Sequence, residues 1–217
     1  MKSLATTATL TATLAALLVT GLASCDQPTI SSREIRHRIE ASRDVSKEFG
    51  KTLKGHLQQA MQQGGPLQAI EVCHEIAPQL AEKMSRKTGW DIHRTSLKPR
   101  RTPPDDWERK VLEEFEKRKA AGEPFNKLEH HQITQKKDGK PVFRYMKAIE
   151  TKPVCLVCHG KNIAPPVAEK IRQLYPNDQA TGFDVGDIRG AFSIIQPLDK
   201  PFEPPATDGT ATAEQGQ

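Results

Sequence analysis

The segment Cys155-Leu156-Val157-Cys158-His159-Gly160 constrains this chain more than any other stretch. Two thiols three residues apart lie on one face of a helical turn, where both can add to the vinyl groups of a haem, and the histidine that follows can reach the iron. The spacing points to one covalently attached haem c, held by Cys155 and Cys158 with His159 as an axial ligand. Two other readings use the same thiols. A zinc knuckle needs a second ligand pair at similar spacing, and no other C-x-x-C occurs in the chain. A thioredoxin-like dithiol belongs at the start of a helix in a βαβ unit and leaves His159 without a task.

The N-terminus supports the haem reading through the compartment it implies. Residues 1–24 begin with Lys2, are most apolar from Leu14 to Leu22, and end in Leu22-Ala23-Ser24 before Cys25. A short apolar run behind a positive start is a secretory signal, not a membrane span. Its last four residues resemble a bacterial lipobox, which implies cleavage before Cys25 and lipidation of that sulfur. One lipid tethers a protein without spanning the bilayer, so residues 25–32 read as a tether in the periplasm or cell envelope. That compartment permits c-type assembly and oxidises thiols. Of the four cysteines, Cys155 and Cys158 go to the haem and Cys25 to the lipid, leaving Cys73 unpaired.

Of 217 residues, roughly 190 remain after cleavage, enough for one domain. Aromatic residues make up only 5%, so a core of side chains alone is thin, and a buried porphyrin would supply the missing apolar body. The formal charge of +5 is not gathered into basic stripes with aromatics between them, which excludes nucleic acid as the expected partner.

From Ser31 the pattern is helical, with Ser31 and Glu34 as a capping box and apolar residues from Ile35 to Met61 mainly four apart. Gly64-Gly65 ends this helix and Pro66 opens a second, closed by Gly89, in which Pro78 is expected to kink or split the helix. At 100° per residue Cys73 falls in the middle of the apolar stripe, pointing into the core, and His74 at its edge. Trp90 to Leu97 reads as a strand, and residues 98–104 as a basic, proline-interrupted loop. A third helix runs from Trp107 to about Ala121, capped by Asp105 and Asp106. Residues 128–149 form a hairpin about Asp138-Gly139, directly before the C-x-x-C-H segment. A short helix from Ala164 to Tyr175 and a strand from Ile188 to Ile195 follow. Residues 33–200 thus form one α+β domain with a mainly antiparallel sheet, and residues 201–217 read as a disordered tail.

The second axial position has several candidates: Met61, Met84, Met146, the other histidines, and Cys73. A methionine raises the potential, a histidine lowers it, and a thiolate lowers it further. His37 and His56 lie on a solvated helix, and His130 and His131 point to opposite faces of one strand. Cys73 is either a small buried hydrophobe or a ligand. In the basic loop and the strand before it, Arg94, Lys98 and Arg100 are candidate contacts for the haem propionates.

Four segments occur in order: Ala69-Ile70-Glu71-Val72-Cys73, Arg94-Thr95-Ser96-Leu97-Lys98-Pro99-Arg100, the C-x-x-C-H-G, and Gly186-Asp187-Ile188-Arg189-Gly190-Ala191-Phe192-Ser193-Ile194. Together, over roughly residues 33–198, the chain resembles an exported single-haem c-type cytochrome family, long known only as a domain of unknown function. The resemblance implies a PAS-like fold and histidine/cysteine axial ligation, with Cys73 distal and His159 proximal. After Arg100 the chain departs from the family's Asn-Pro-x-Asn, carrying Arg101-Thr102-Pro103-Pro104 instead.

Two functions fit these expectations. The first is a membrane-tethered redox or small-ligand sensor that signals to a protein partner by redox-dependent Cys73 ligation. The second is an electron carrier between envelope redox partners. Catalysis fits poorly, because a sixth ligand closes the iron and no acid/base pair is evident beside it, so the chain is not expected to be an enzyme.

Overall fold

The computed structural model describes residues 30–205; the export signal, Cys25, most of the tether and residues 206–217 lie outside the described residues. Helix α1 (Ser32–Thr88) is followed by β1 (Asp91–Thr95), α2 (Asp106–Ala120), β2 (Glu129–Gln135), β3 (Pro141–Glu150), α3 (Leu156–His159), α4 (Pro165–Leu174) and β4 (Ile188–Pro197). The fold is α+β, with one antiparallel sheet in the order β1-β4-β3-β2.

Helix α1 breaks where the sequence places the break. Gly65 alone leaves helical φ/ψ (φ 68°, ψ −160°), a conformation open to a residue without Cβ. The chain folds back there, so Val45, Phe49 and Leu53 of the first half share a cluster with Ala77 and Met84 of the second. Ile92, Phe143, Tyr145 and Ile194 complete that cluster from the sheet. Each such fully buried large side chain contributes about 1.5–3 kcal/mol.

At the N-terminus, Ser31 accepts from the Glu34 backbone N–H at 3.1 Å, but the Glu34 carboxylate turns to Arg38 instead of closing the expected box. Arg38 is buried and also donates to Gln196 at 3.0 Å, which ties the start of α1 to the end of β4.

Pro78 does not split the helix: the backbone stays helical through it. It lacks the N–H that would meet the carbonyl of His74, and Arg101 Nη2 donates to that carbonyl at 3.1 Å. The same nitrogen lies 3.1 Å from His74 Nδ1, so Arg101 supplies the hydrogen bond that the proline removes.

The opposite face of the sheet carries α2, whose Val111, Leu112 and Phe115 pack on Met146, Ala148, Ile188 and Ala191. Asp105 and Glu108 form a full capping box there. The hairpin turns at Asp138-Gly139 as its dipeptide requires, and β1 is shorter at both ends than the expected Trp90–Leu97. Phe202, placed in the tail by composition, stacks on Trp90 with ring centroids 6.3 Å apart.

Beside α2 lies a charge cluster built on the buried Glu108 and Arg144, with His93 half-buried and Asp91 and Asp105 exposed at its rim. His93 Nε2 is 2.8 Å from Glu108 and Nδ1 is 3.2 Å from Asp91, while Arg144 faces Asp105 at 2.7 Å. Burial lowers the His93 pKa, but the two carboxylates outweigh it and push the value from 6.5 up to about 9. The stabilisation from the charged imidazole is therefore complete below pH about 6.5 and is lost as the pH rises through about 9. Urea denaturation across that range is expected to show the loss, and His93→Gln to flatten it.

Candidate functional site

The two halves of α1, the end of β1, the loop after it, α3 and the start of β4 enclose a cavity of about 370 Å³. Its walls include Phe49, Leu53, Leu57, Met61 and Ile70, together with Cys73, Cys155, Cys158 and His159. The chain thus brings the C-x-x-C-H segment and the leftover cysteine to one cleft. Cys73 is half-buried on the cavity wall, not enclosed in the packed core as its place on the helical stripe predicts.

Local structure explains how the segment is held. A 3-10 turn over Pro153–Cys155 runs into α3, which places Cys155, Cys158 and His159 on one helical course. Cys158 also packs on the cluster of Ile70, Val167, Ile171 and Tyr175, which joins α1 to α4. From the loop before β4, the N–H groups of Gly182 and Phe183 each donate at 3.0 Å to the carbonyls of Gly160 and His159. Arg100 braces the segment from the other side. It holds Asp178 through two bonds of 2.9 and 3.0 Å and donates to the Cys158 carbonyl at 2.9 Å.

His159 has a defined tautomer. Its Nδ1 lies 2.7 Å from the Ala180 carbonyl, which can only accept, so Nδ1 carries the proton. Nε2 is left with a free lone pair, which accepts from Arg189 Nη2 at 3.1 Å. Burial, with the charges of Arg189 and Arg100 beside it, holds the imidazole well below its ordinary pKa and therefore neutral. A neutral imidazole anchored through Nδ1–H to a carbonyl is the arrangement of a metal-ligating histidine. Burial pushes the Cys73 thiol up, and the guanidinium groups of Arg94, Arg100 and Arg189 oppose that shift.

These donors share a cavity without converging. Among the described residues no group of three or more His, Cys, Asp or Glu is close enough to hold a bare metal ion. The zinc reading therefore finds no ligand set here. A large planar group with its own metal would find apolar side chains, two thiols, the His159 imidazole and Cys73 on the walls of one cavity. Cys155, Cys158, His159 and Cys73 are the residues that could hold it.

Other sequence candidates lie elsewhere. Met84 and Met146 are buried in the two cores on either side of the sheet, and His37 and His56 are exposed on α1. His130 packs edge-on against Trp107, and His131 stacks on Phe143. Met61 does line the cavity. Of the three basic candidates, Arg94 faces the cavity, whereas Arg100 is committed to Asp178 and Cys158. Lys98 is not on the cavity wall; it donates to the Thr181 carbonyl at 3.3 Å over the ring of Phe183. Sequence reasoning missed Arg189, although it stands inside a quoted motif.

A family model of the Tll0287-like proteins matches residues 24–197. Among solved structures, that of the cyanobacterial heme-protein Tll0287 is 21% identical with a TM-score of 0.55, covering 78% of this chain and 98% of that one. At this identity the likeness is one of fold. No curated protein matches the chain. Because the family match takes in both halves of α1, the whole sheet and every residue on the cavity wall, the chain belongs to the Tll0287-like family.

Proposed function

We propose that this protein binds one haem c covalently through Cys155 and Cys158, with His159 and Cys73 as axial ligands, and acts as a redox or small-ligand sensor tethered in the periplasm through Cys25. The observation that carries the reading is His159, half-buried and neutral, with its Nδ1 anchored to the Ala180 carbonyl and its Nε2 lone pair held only by Arg189, on the wall of a cavity that Cys73 also lines. The similar cyanobacterial protein Tll0287 is a heme-protein, which agrees with that use of the cavity. The PAS-like designation belongs to the same reading.

Bound haem supplies iron with two accessible oxidation states. The chain's own residues orient it. Ala180 fixes the His159 ring through Nδ1, Arg100 and Asp178 brace α3, and Phe49, Leu53 and Ile70 exclude water from the apolar walls. Cys73 stands on the segment of α1 whose hydrogen-bond ladder is interrupted at Pro78 and completed from outside by Arg101. Such a turn can shift without breaking the rest of the helix, which favours a sensor with an exchangeable thiolate over a carrier with two fixed ligands.

Carbon monoxide distinguishes the two. The reduced protein is expected to form a carbon monoxide adduct by optical spectroscopy, with His159 kept and Cys73 displaced. Failure to form one, together with a rapid reversible redox couple, would instead identify an electron carrier between envelope proteins.

A further inference from the structure

The cavity wall contains four arginines, Arg94, Arg100, Arg101 and Arg189, and no aspartate or glutamate. Two of the four have partners that explain them. Arg100 is paired with Asp178, and Arg101 serves the carbonyl and ring of His74. The other two face no carboxylate. Arg94 lies over the Phe49 ring at 5.6 Å, and among the described residues it makes no hydrogen bond or ion pair. Arg189 lies over the Phe183 ring at 5.2 Å and its one hydrogen bond is to the neutral His159. Arg94 is exposed at the cavity wall and Arg189 is half-buried there, so both present their charge to the cavity without an anion, and an arginine fork is suited to a carboxylate.

The backbone goes to some length to present Arg189. Across β3 and β4, Ile149 pairs with Gly190 while Glu150 pairs with Ile188, so Arg189 is the extra residue of a β-bulge. A bulge re-aims a side chain that regular alternation would place otherwise. Beside it, Gly190 has φ 148°, and a Cβ there would stand 2.3 Å from the Thr95 carbonyl. The close approach of β4 to the end of β1, which only glycine allows, brings Arg189 to the same cavity as Arg94.

We infer that Arg94 and Arg189 together recognise the two carboxylates of the cavity's ligand, so that the site selects a dicarboxylate macrocycle and fixes which way it faces. This rests on the haem reading above and replaces Lys98 and Arg100 as its carboxylate contacts. It also assigns Arg189 two partners: His159 Nε2 as seen here, and a ligand carboxylate when haem is bound.

The test uses the full chain with Cys155 and Cys158 changed to alanine, titrated with haem or with haem dimethyl ester, whose carboxylates are masked. With both arginines present, the ester is expected to bind at least about tenfold more weakly than haem, as the loss of charge-assisted hydrogen bonds requires. In the same chain carrying Arg94→Gln and Arg189→Gln, that preference should fall to about onefold. In the covalently loaded protein, each single variant is expected to alter the propionate bands in the resonance Raman spectrum, with Arg109→Gln on the surface of α2 leaving them unchanged. Equal binding of haem and ester by the arginine-containing chain overturns the inference, as does a preference that survives loss of both arginines. If neither form binds and no covalent haem is found in the unaltered chain, it is the haem reading itself that fails.

Discussion

Replacing Cys155 and Cys158 together with serine is expected to abolish covalent loading: mass spectrometry of the exported protein should show it lighter by one haem, and no haem should stay with the chain in acidified organic solvent. The effect should be all or none because the bond is made only at those two sulfurs. The chain should still fold, since the segment's backbone contacts to Gly182, Phe183 and Arg100 do not use the thiols. Each single serine variant should keep one thioether and hold haem through extraction. Extractable haem in the unaltered protein would remove the covalent part of the reading while leaving the cavity's ligands in place.

Arg100→Ala is expected to give the largest loss of stability of any single change at the site. The side chains of Arg100 and Asp178 are only 10% and 8% exposed, so truncation leaves a buried carboxylate without its partner. Breaking a buried pair in this way costs about 3–5 kcal/mol. The same change releases the Cys158 carbonyl, so the brace on α3 is lost with the charge. Urea denaturation should therefore show a large fall for Arg100→Ala and a smaller one for Arg100→Lys, which keeps the charge but not the fork. A comparable loss from Arg101→Ala, whose contacts are exposed, would argue that the loop matters only as a whole.

Much of this arrangement is legible in the residues themselves, for local reasons. Asp138-Gly139 marks the hairpin because the tight turn needs a positive φ, and Gly64-Gly65-Pro66 marks the fold-back of α1 for a related reason. Cys73 stands out by arithmetic, as the thiol left over from the expected lipidation and haem attachment, and the structure puts it on the cavity wall. What is not legible depends on tertiary position. Pro78 has the sequence signature of a kink, yet a loop more than twenty positions away supplies its missing hydrogen bond. Arg100 reads as a ligand contact because it is basic and near the right segment, but Asp178, which claims it, is distant in the chain. Arg189 stands beside a bulge, and a bulge is a property of strand register that period-two alternation cannot reveal. The Arg189-Gly190 pair was the available signal, since a glycine inside a strand pattern marks a bulge or a close backbone approach.

Cys73 bears most directly on the central claim, that this protein's iron is held between a fixed histidine and an exchangeable thiolate. The measurement is electron paramagnetic resonance of the ferric protein beside its Cys73→Ala variant, with optical spectra of the same samples. The account predicts a low-spin thiolate signature in the unaltered protein that is lost in Cys73→Ala, while the haem stays covalently bound and His159 stays coordinated. An identical spectrum in both proteins would contradict it, and would return the sixth position to another residue of the cavity wall such as Met61.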